Sequence, residues 1–181
     1  MRVAMIGQKG IPATYGGIER HVDEIARRLV PMGVDVDVFC RLHYTPAGAS
    51  YHGVRLLRRP SLHTKHFDAI SHVSWATLES MLRHYDVVHY HALGPALLAG
   101  LPRLTGAKTV VTVHGLDWKR EKWGRFARWF LHRCEGPAVH FPDRTIVVSK
   151  TLREHFRTAH GAETTFIPNG TSLPQPRAAK K

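Results

Sequence analysis

Acidic residues are scarce in this chain: 14 Asp and Glu stand against 26 Lys and Arg, a formal net charge of +12, with 14 His besides. That balance points to anionic partners, whether polyanions, an anionic membrane surface or phosphorylated small molecules. A merely solubilising basic surface has the same composition. Cysteine is nearly absent. Cys40 and Cys134 alone do not make a disulfide framework, which implies a reducing, cytoplasmic setting and leaves the Asn169-Gly170-Thr171 sequon little weight as a glycan acceptor. No apolar run reaches the ~18 residues of a membrane-spanning helix. The short apolar run Val3–Ile6 reads as a first strand, not as a signal peptide. Internal repeats and low-complexity segments are missing. So is any helix-turn-helix, zinc-knuckle or RRM signature, which argues against nucleic acid as a partner despite the charge. The dinucleotide fingerprint G-x-G-x-x-G is also absent, because Ile11-Pro12 follow Gly7 and Gly10.

What is present is an alternation of strands and helices. The 181 residues, 43% hydrophobic, suit one domain or one half of a two-domain protein with a sizeable core. Strands are expected at 3–6, 34–41, 54–57, 87–91, 108–114, 145–148 and 164–167, from β-branched runs between Gly and Pro signals. The segment 43–51 reads as a loop and 61–66 as irregular. Helices are expected from about Ile18 to Leu29, over 67–84 with Ile70, Val73, Leu78 and Leu82 at helical spacing, over 95–104, over 123–135, and from the Ser149 N-cap to about His160. The fold class is therefore α/β: a Rossmann-like three-layer sandwich with a mostly parallel sheet. Residues 1–171 form the domain, and 172–181 read as a linker or added tail. A chain ending after Pro168-Asn169-Gly170 reads as cut at a domain boundary.

The stretch GQKGIPATYGGIER at 7–20 lies between the first strand and the first helix. Gly16 and Gly17 allow backbone angles closed to other residues and a close ligand approach. The helix start then offers free N–H groups and the positive dipole end to an anion. A plain tight turn is the alternative. Glu19 favours the helix start by charge, while Arg20 and His21 divide between anion contact and a solvated face.

Further along, five motifs come in order: GGIERHV at 16–22, DVVHYH at 86–91, TVHG at 112–115, IVVS at 146–149 and IPNG at 167–170. Together they resemble the retaining glycosyltransferases of family 4. GIPATYGGIE with HGLDWKREKWG is similar to the N-terminal domain of a bacterial, rhamnosyltransferase-like subgroup. The likeness runs from Met1 to about Thr171. It implies the N-terminal, acceptor-side half of a GT-B fold, in which a C-terminal domain with paired glutamates holds the nucleotide-sugar donor. It implies no cofactor and no metal. The isolated half is expected to have little or no activity. The partners implied are that domain, the nucleotide sugar, and a glycan or lipid-linked acceptor. The location is cytoplasmic, or peripheral at the inner membrane face.

The resemblance puts His114 in the cleft near the transferred sugar, as the candidate catalytic residue. It also ends a strand before Gly115, at the carboxyl end of the sheet where open α/β folds bind ligands. A core histidine capped by a carbonyl is the plain alternative. His89 and His91 share a strand face, but two ligands without a third are weak evidence for metal. Candidate substrate- or phosphate-binding residues are Gly16, Gly17, Arg20, His91, Asp117, Lys119 and Arg120. The basic-aromatic loop from Asp117 to Trp123 suits a sugar ring and a phosphate. In the helix that follows, Phe126, Trp129 and Phe130 are expected in the core, with Arg125, Arg128 and Arg133 solvated or on an anionic membrane. Pro168-Asn169-Gly170 is expected to serve as a hinge rather than touch a ligand.

Overall fold

The computed structural model describes residues 1–62, 64, 67–121 and 123–170. Lys122, part of the 61–66 segment and the 172–181 tail lie outside the described residues. Along the chain come β1 (Arg2–Ile6), α1 (Gly17–Leu29), β2 (Asp35–Arg41), β3 (Ser50–Tyr51), β4 (Val54–Arg59), α2 (Phe67–Leu82), β5 (Val87–His91), β6 (Lys108–Val113), α3 (Arg125–Arg133), α4 (Glu135–His140), β7 (Arg144–Val147), α5 (Lys150–His160) and β8 (Thr165–Phe166). They build one sheet in the order β3-β4-β2-β1-β5-β6-β7-β8. Only the short β3 runs antiparallel, at the edge beside β4. The chain winds outward from β1 through β2 to β4, then crosses back to β5 on the other side of β1. Strand order reverses between β1 and β5, where an open sheet parts its loops to make a crevice.

Period-2 alternation divides the strands between two cores. Val3 and Met5 pack with Val36, Val38 and Cys40 under Val22 and Ala26 of α1. Ala4 and Ile6 face the other way, with Val88, Tyr90, Val111 and Val113, under α2, α4 and α5. This is the expected three-layer arrangement. Asp37, fully buried on β2, is satisfied by Tyr85 Oη at 2.5 Å, Arg55 Nε at 2.7 Å and Arg2 Nη2 at 3.0 Å.

Some expected elements differ. The helix expected over 95–104 is two 3-10 turns, Pro95–Leu98 and Pro102–Thr105; Pro102 has no N–H to continue a helix. The helix over 123–135 ends at Arg133, and α4 starts anew at Glu135. Ser50–Tyr51, read as loop, pairs with β4, and β4 itself continues past Leu57 to Arg59. The apolar stripe expected to bury α2 faces outward: Ile70, Leu78 and Leu82 are exposed, and only Val73 is buried. The packed face is instead His72, Val73, Ala76, Thr77 and Ser80. That set has the same helical period, with Ala76, Thr77 and Ser80 as its small members. Thr77 Oγ1 there meets Tyr90 Oη at 3.0 Å. Phe126 and Trp129 also differ from expectation, being 77% and 55% exposed. No residue of α3 is fully buried, and Phe130 alone of the three aromatics packs against the core.

Candidate active site

The same alternation that buries Val88 and Tyr90 on one face turns His89 and His91 to the α1 face. β6 pairs in parallel with β5, His91 beside Thr112. Val111 and Val113 lie in the larger core, so Thr112 and His114 stand on the histidine side. From across the crevice α1 contributes His21 in its second turn. Ring centroids are 4.3 Å apart for His89 and His91, 4.6 Å for His21 and His114, 5.6 Å for His91 and His114, and 5.8 Å for His21 and His91. His91 Nδ1 lies 3.3 Å from His114 Nε2, and His89 Nε2 lies 2.7 Å from Thr112 Oγ1. The expected pair, His89 and His91, is thus joined by two more histidines, one from a helix and one from the next strand end.

Glycine makes this approach possible. Gly7, just past β1, has φ +114°, and a Cβ there would strike the carbonyl oxygen of His91. Gly16, at the N-cap of α1, has φ +98°, and a Cβ there would collide with the Glu19 carboxylate. That carboxylate accepts the Lys9 backbone N–H at 3.1 Å and ties the loop to the helix, a contact beyond the charge effect expected of Glu19. Gly17 departs from expectation. It is the first helical residue, without positive φ, and space around it is open.

The four imidazoles are neutral near pH 7. Burial, reinforced by His21, His89 and Arg120, pushes His114 down to about 3. Burial and His21 push His89 to about 3. Fully buried His91 lies well below the ordinary range, through burial and then its three neighbours. His21 is lowered by burial, against a hydrogen bond with the Asn169 side chain. A neutral imidazole carries one N–H donor and one acceptor nitrogen. The cluster can therefore hydrogen-bond a hydroxyl, and it offers no cation to a phosphate.

Of the other expected site residues, Arg120 lies near enough to act on His114 and pairs with Asp117 at 3.3 Å. Lys119 is exposed, its Nζ 5.3 Å from the Trp118 ring centre. Arg20 is exposed, whereas its neighbour His21 joins the cluster. The Asn169 side chain meets His21. A second polar centre was not singled out from sequence. Buried Glu135 accepts from Trp118 Nε1 at 2.5 Å through Oε1, and from His155 and His160 Nε2, each at 3.0 Å, through Oε2. Burial works to raise its carboxyl, and the bonds from His160, His155 and Trp118 outweigh it and hold the group below the usual range. Its only sequence signal is an acid following a stretch of basic and aromatic residues.

Solved GT-B glycosyltransferases share this arrangement. Sucrose-phosphate synthase from Thermosynechococcus elongatus superposes with a TM-score of 0.68 at 20% identity, over 94% of this chain and 48% of that one. HepE of Anabaena, solved with UDP and glucose, gives 0.63 at 18% identity over 94% and 45%. The lipopolysaccharide outer core galactosyltransferase WaaB, in its apo form, gives 0.59 at 16% over 99% and 50%. This chain spans about half the length of each. No curated protein sequence matches it significantly. The architecture is the N-terminal half of a GT-B glycosyltransferase. The chain belongs to Glycosyltransferase Family 4, whose sequence profile matches residues 15–174.

Proposed function

We propose that this chain is the acceptor-side half of a retaining glycosyltransferase that moves a hexosyl group from a nucleotide sugar to a glycan, a lipid-linked intermediate or a small molecule. The observation that carries the reading is the position of His114: at the carboxyl end of β6, against His91, in the crevice where strand order reverses. Family membership and a relative solved with UDP and glucose support a sugar nucleotide as donor. On this reading a donor-binding domain with paired glutamates faces the crevice, and the backbone N–H groups at Gly16 and Gly17 meet the donor diphosphate. His114, His91 and the Asp117–Arg120 loop orient the acceptor. Lys119 and Arg20 lie at the rim, where they meet phosphate of either substrate. No side chain in this half is cast as a double-displacement nucleophile. The donor's own phosphate leads the chemistry, and this half supplies orientation and hydrogen bonds from neutral imidazoles. The half works at the cytoplasmic side of the membrane.

The test is made in the enzyme that joins this half to its donor-binding half. His114→Ala is expected to lower turnover on the order of 10²-fold with an unchanged circular dichroism spectrum. Near-normal turnover in that variant removes His114 from the site.

One observation favours a second, compatible role. Phe126 and Trp129 are exposed on α3 beside Arg125, Arg128 and Arg133. Aromatic and cationic side chains on one short helix suit an anionic lipid surface, which is where a lipid-linked acceptor resides.

A further inference from the structure

We propose that His21, His91 and His114 form a binding site for a divalent transition-metal ion of the zinc type, with its fourth coordination position open to the crevice. In sequence only the weak pair His89 and His91 suggests metal, because His21 and His114 lie on a helix and at another strand end. The fold collects them. One nitrogen from each ring lies within 4.8 Å of those of the other two. A tetrahedral zinc ion with bonds of about 2.0–2.1 Å holds its ligand nitrogens about 3.3–3.4 Å apart. His91 Nδ1 and His114 Nε2 are separated by 3.3 Å, so two ligands already stand at coordination distance. The third, on the second turn of α1, has on the order of 1 Å to close.

The hydrogen bonding points the same way. His21 Nε2 is buried without a hydrogen-bond partner. Leaving such a group unsatisfied is costly, and a cation is a ligand that a lone-pair-bearing imidazole suits. The other trio able to hold a cation, Glu135 with His155 and His160, differs in this respect. Its two imidazoles each meet one carboxylate oxygen at 3.0 Å, and a further N–H from Trp118 completes the group. Hydrogen bonding accounts for that trio. Three protein ligands and an open position leave room for a water or a hydroxyl-bearing ligand on the ion. A bound ion and an unassisted sugar hydroxyl then compete for His114.

This inference rests on imidazole geometry and not on the glycosyl-transfer reading, so binding measurements on the 181-residue chain test it separately. The chelator-treated protein is titrated with Co²⁺ as a spectroscopic probe, followed by Zn²⁺. The expected result is one Co²⁺ per chain with the visible bands of tetrahedral coordination, abolished by Zn²⁺. His21→Ala and His114→Ala should each weaken binding at least as much as the roughly 10–100-fold typical of losing an outer-shell partner. A His155→Gln, His160→Gln double variant should keep the bands. Absence of tetrahedral bands, their survival in His21→Ala, or their loss only in the double variant overturns the proposal. Should a variant fail to fold, nitrogen NMR of the wild-type histidine rings decides. Zn²⁺ must then shift His21, His91 and His114 while leaving His155 and His160 in place, and any other pattern refutes the site.

Discussion

His91 and His114 lie 23 residues apart in the chain, and their ring nitrogens meet at 3.3 Å because β5 and β6 run in parallel with His91 paired to Thr112. A one-residue slip of that register would turn His114 to the opposite face. The His91–His114 contact therefore depends on the register of two central strands, while the loop after β1 depends on glycine.

Gly16 and Gly17 are expected to respond differently to the same change. Gly16→Ala meets both a positive φ and the Glu19 carboxylate, so a loss of about 1–3 kcal/mol is expected in urea unfolding. Gly17→Ala adds a methyl group in open space within the first helical turn, and should be neutral or stabilising by a few tenths of a kcal/mol. Equal losses at the two positions would show that the turn is not held as described.

Glu135 serves three N–H donors. Glu135→Leu strands all of them in a buried place and should cost about 3 kcal/mol or more, with a shift in Trp118 fluorescence. Glu135→Gln keeps an acceptor and should lose less. A cost below about 1 kcal/mol for the leucine variant would mean the donors find other partners.

His72 makes the fold acid-sensitive. Burial first, then Arg41, lowers its pKa from 6.5 to about 4, the Cys40 carbonyl only partly offsetting them. Between these values the unfolded chain binds the proton and the folded chain does not, so stability falls as pH drops through that window and levels off below it. The full span amounts to about 3 kcal/mol from this one ring. Urea midpoints at pH 7 and at about pH 4.5 should differ less in His72→Leu than in the wild type. The same pH difference in both proteins would exclude His72 as the source.

The α3 surface can be tested without touching the crevice. Phe126→Ala with Trp129→Ala should leave stability within about 0.5 kcal/mol, since both side chains are largely exposed. Co-sedimentation with anionic liposomes should fall, and wild-type binding should weaken with added salt. Unchanged co-sedimentation in the double variant would separate α3 from the membrane.

Much of the fold was legible because β-branched runs between Gly and Pro mark strands by local chemistry alone. Alternation likewise put His89 and His91 on one face, and the strand end at Val113 put His114 beside the crevice. What local patterns could not decide was which of two stripes a helix buries. On α2 Ile70, Leu78 and Leu82 and the set His72, Ala76 and Ser80 share one period, and the second set is the buried one. His21 escaped assignment because its neighbours arrive from β5 and β6 across the crossover. Glu135 did so because its donors come from two distant parts of the chain, Trp118 before α3 and the His155 and His160 pair on α5.

Asn169, beyond the last strand, reaches back to His21 on the first helix. The chain thus leaves the sheet at the mouth of the crevice and not at its far rim. A substitution at Asn169 would therefore act on the crevice through the first helix, although the strand before it lies at the edge of the sheet.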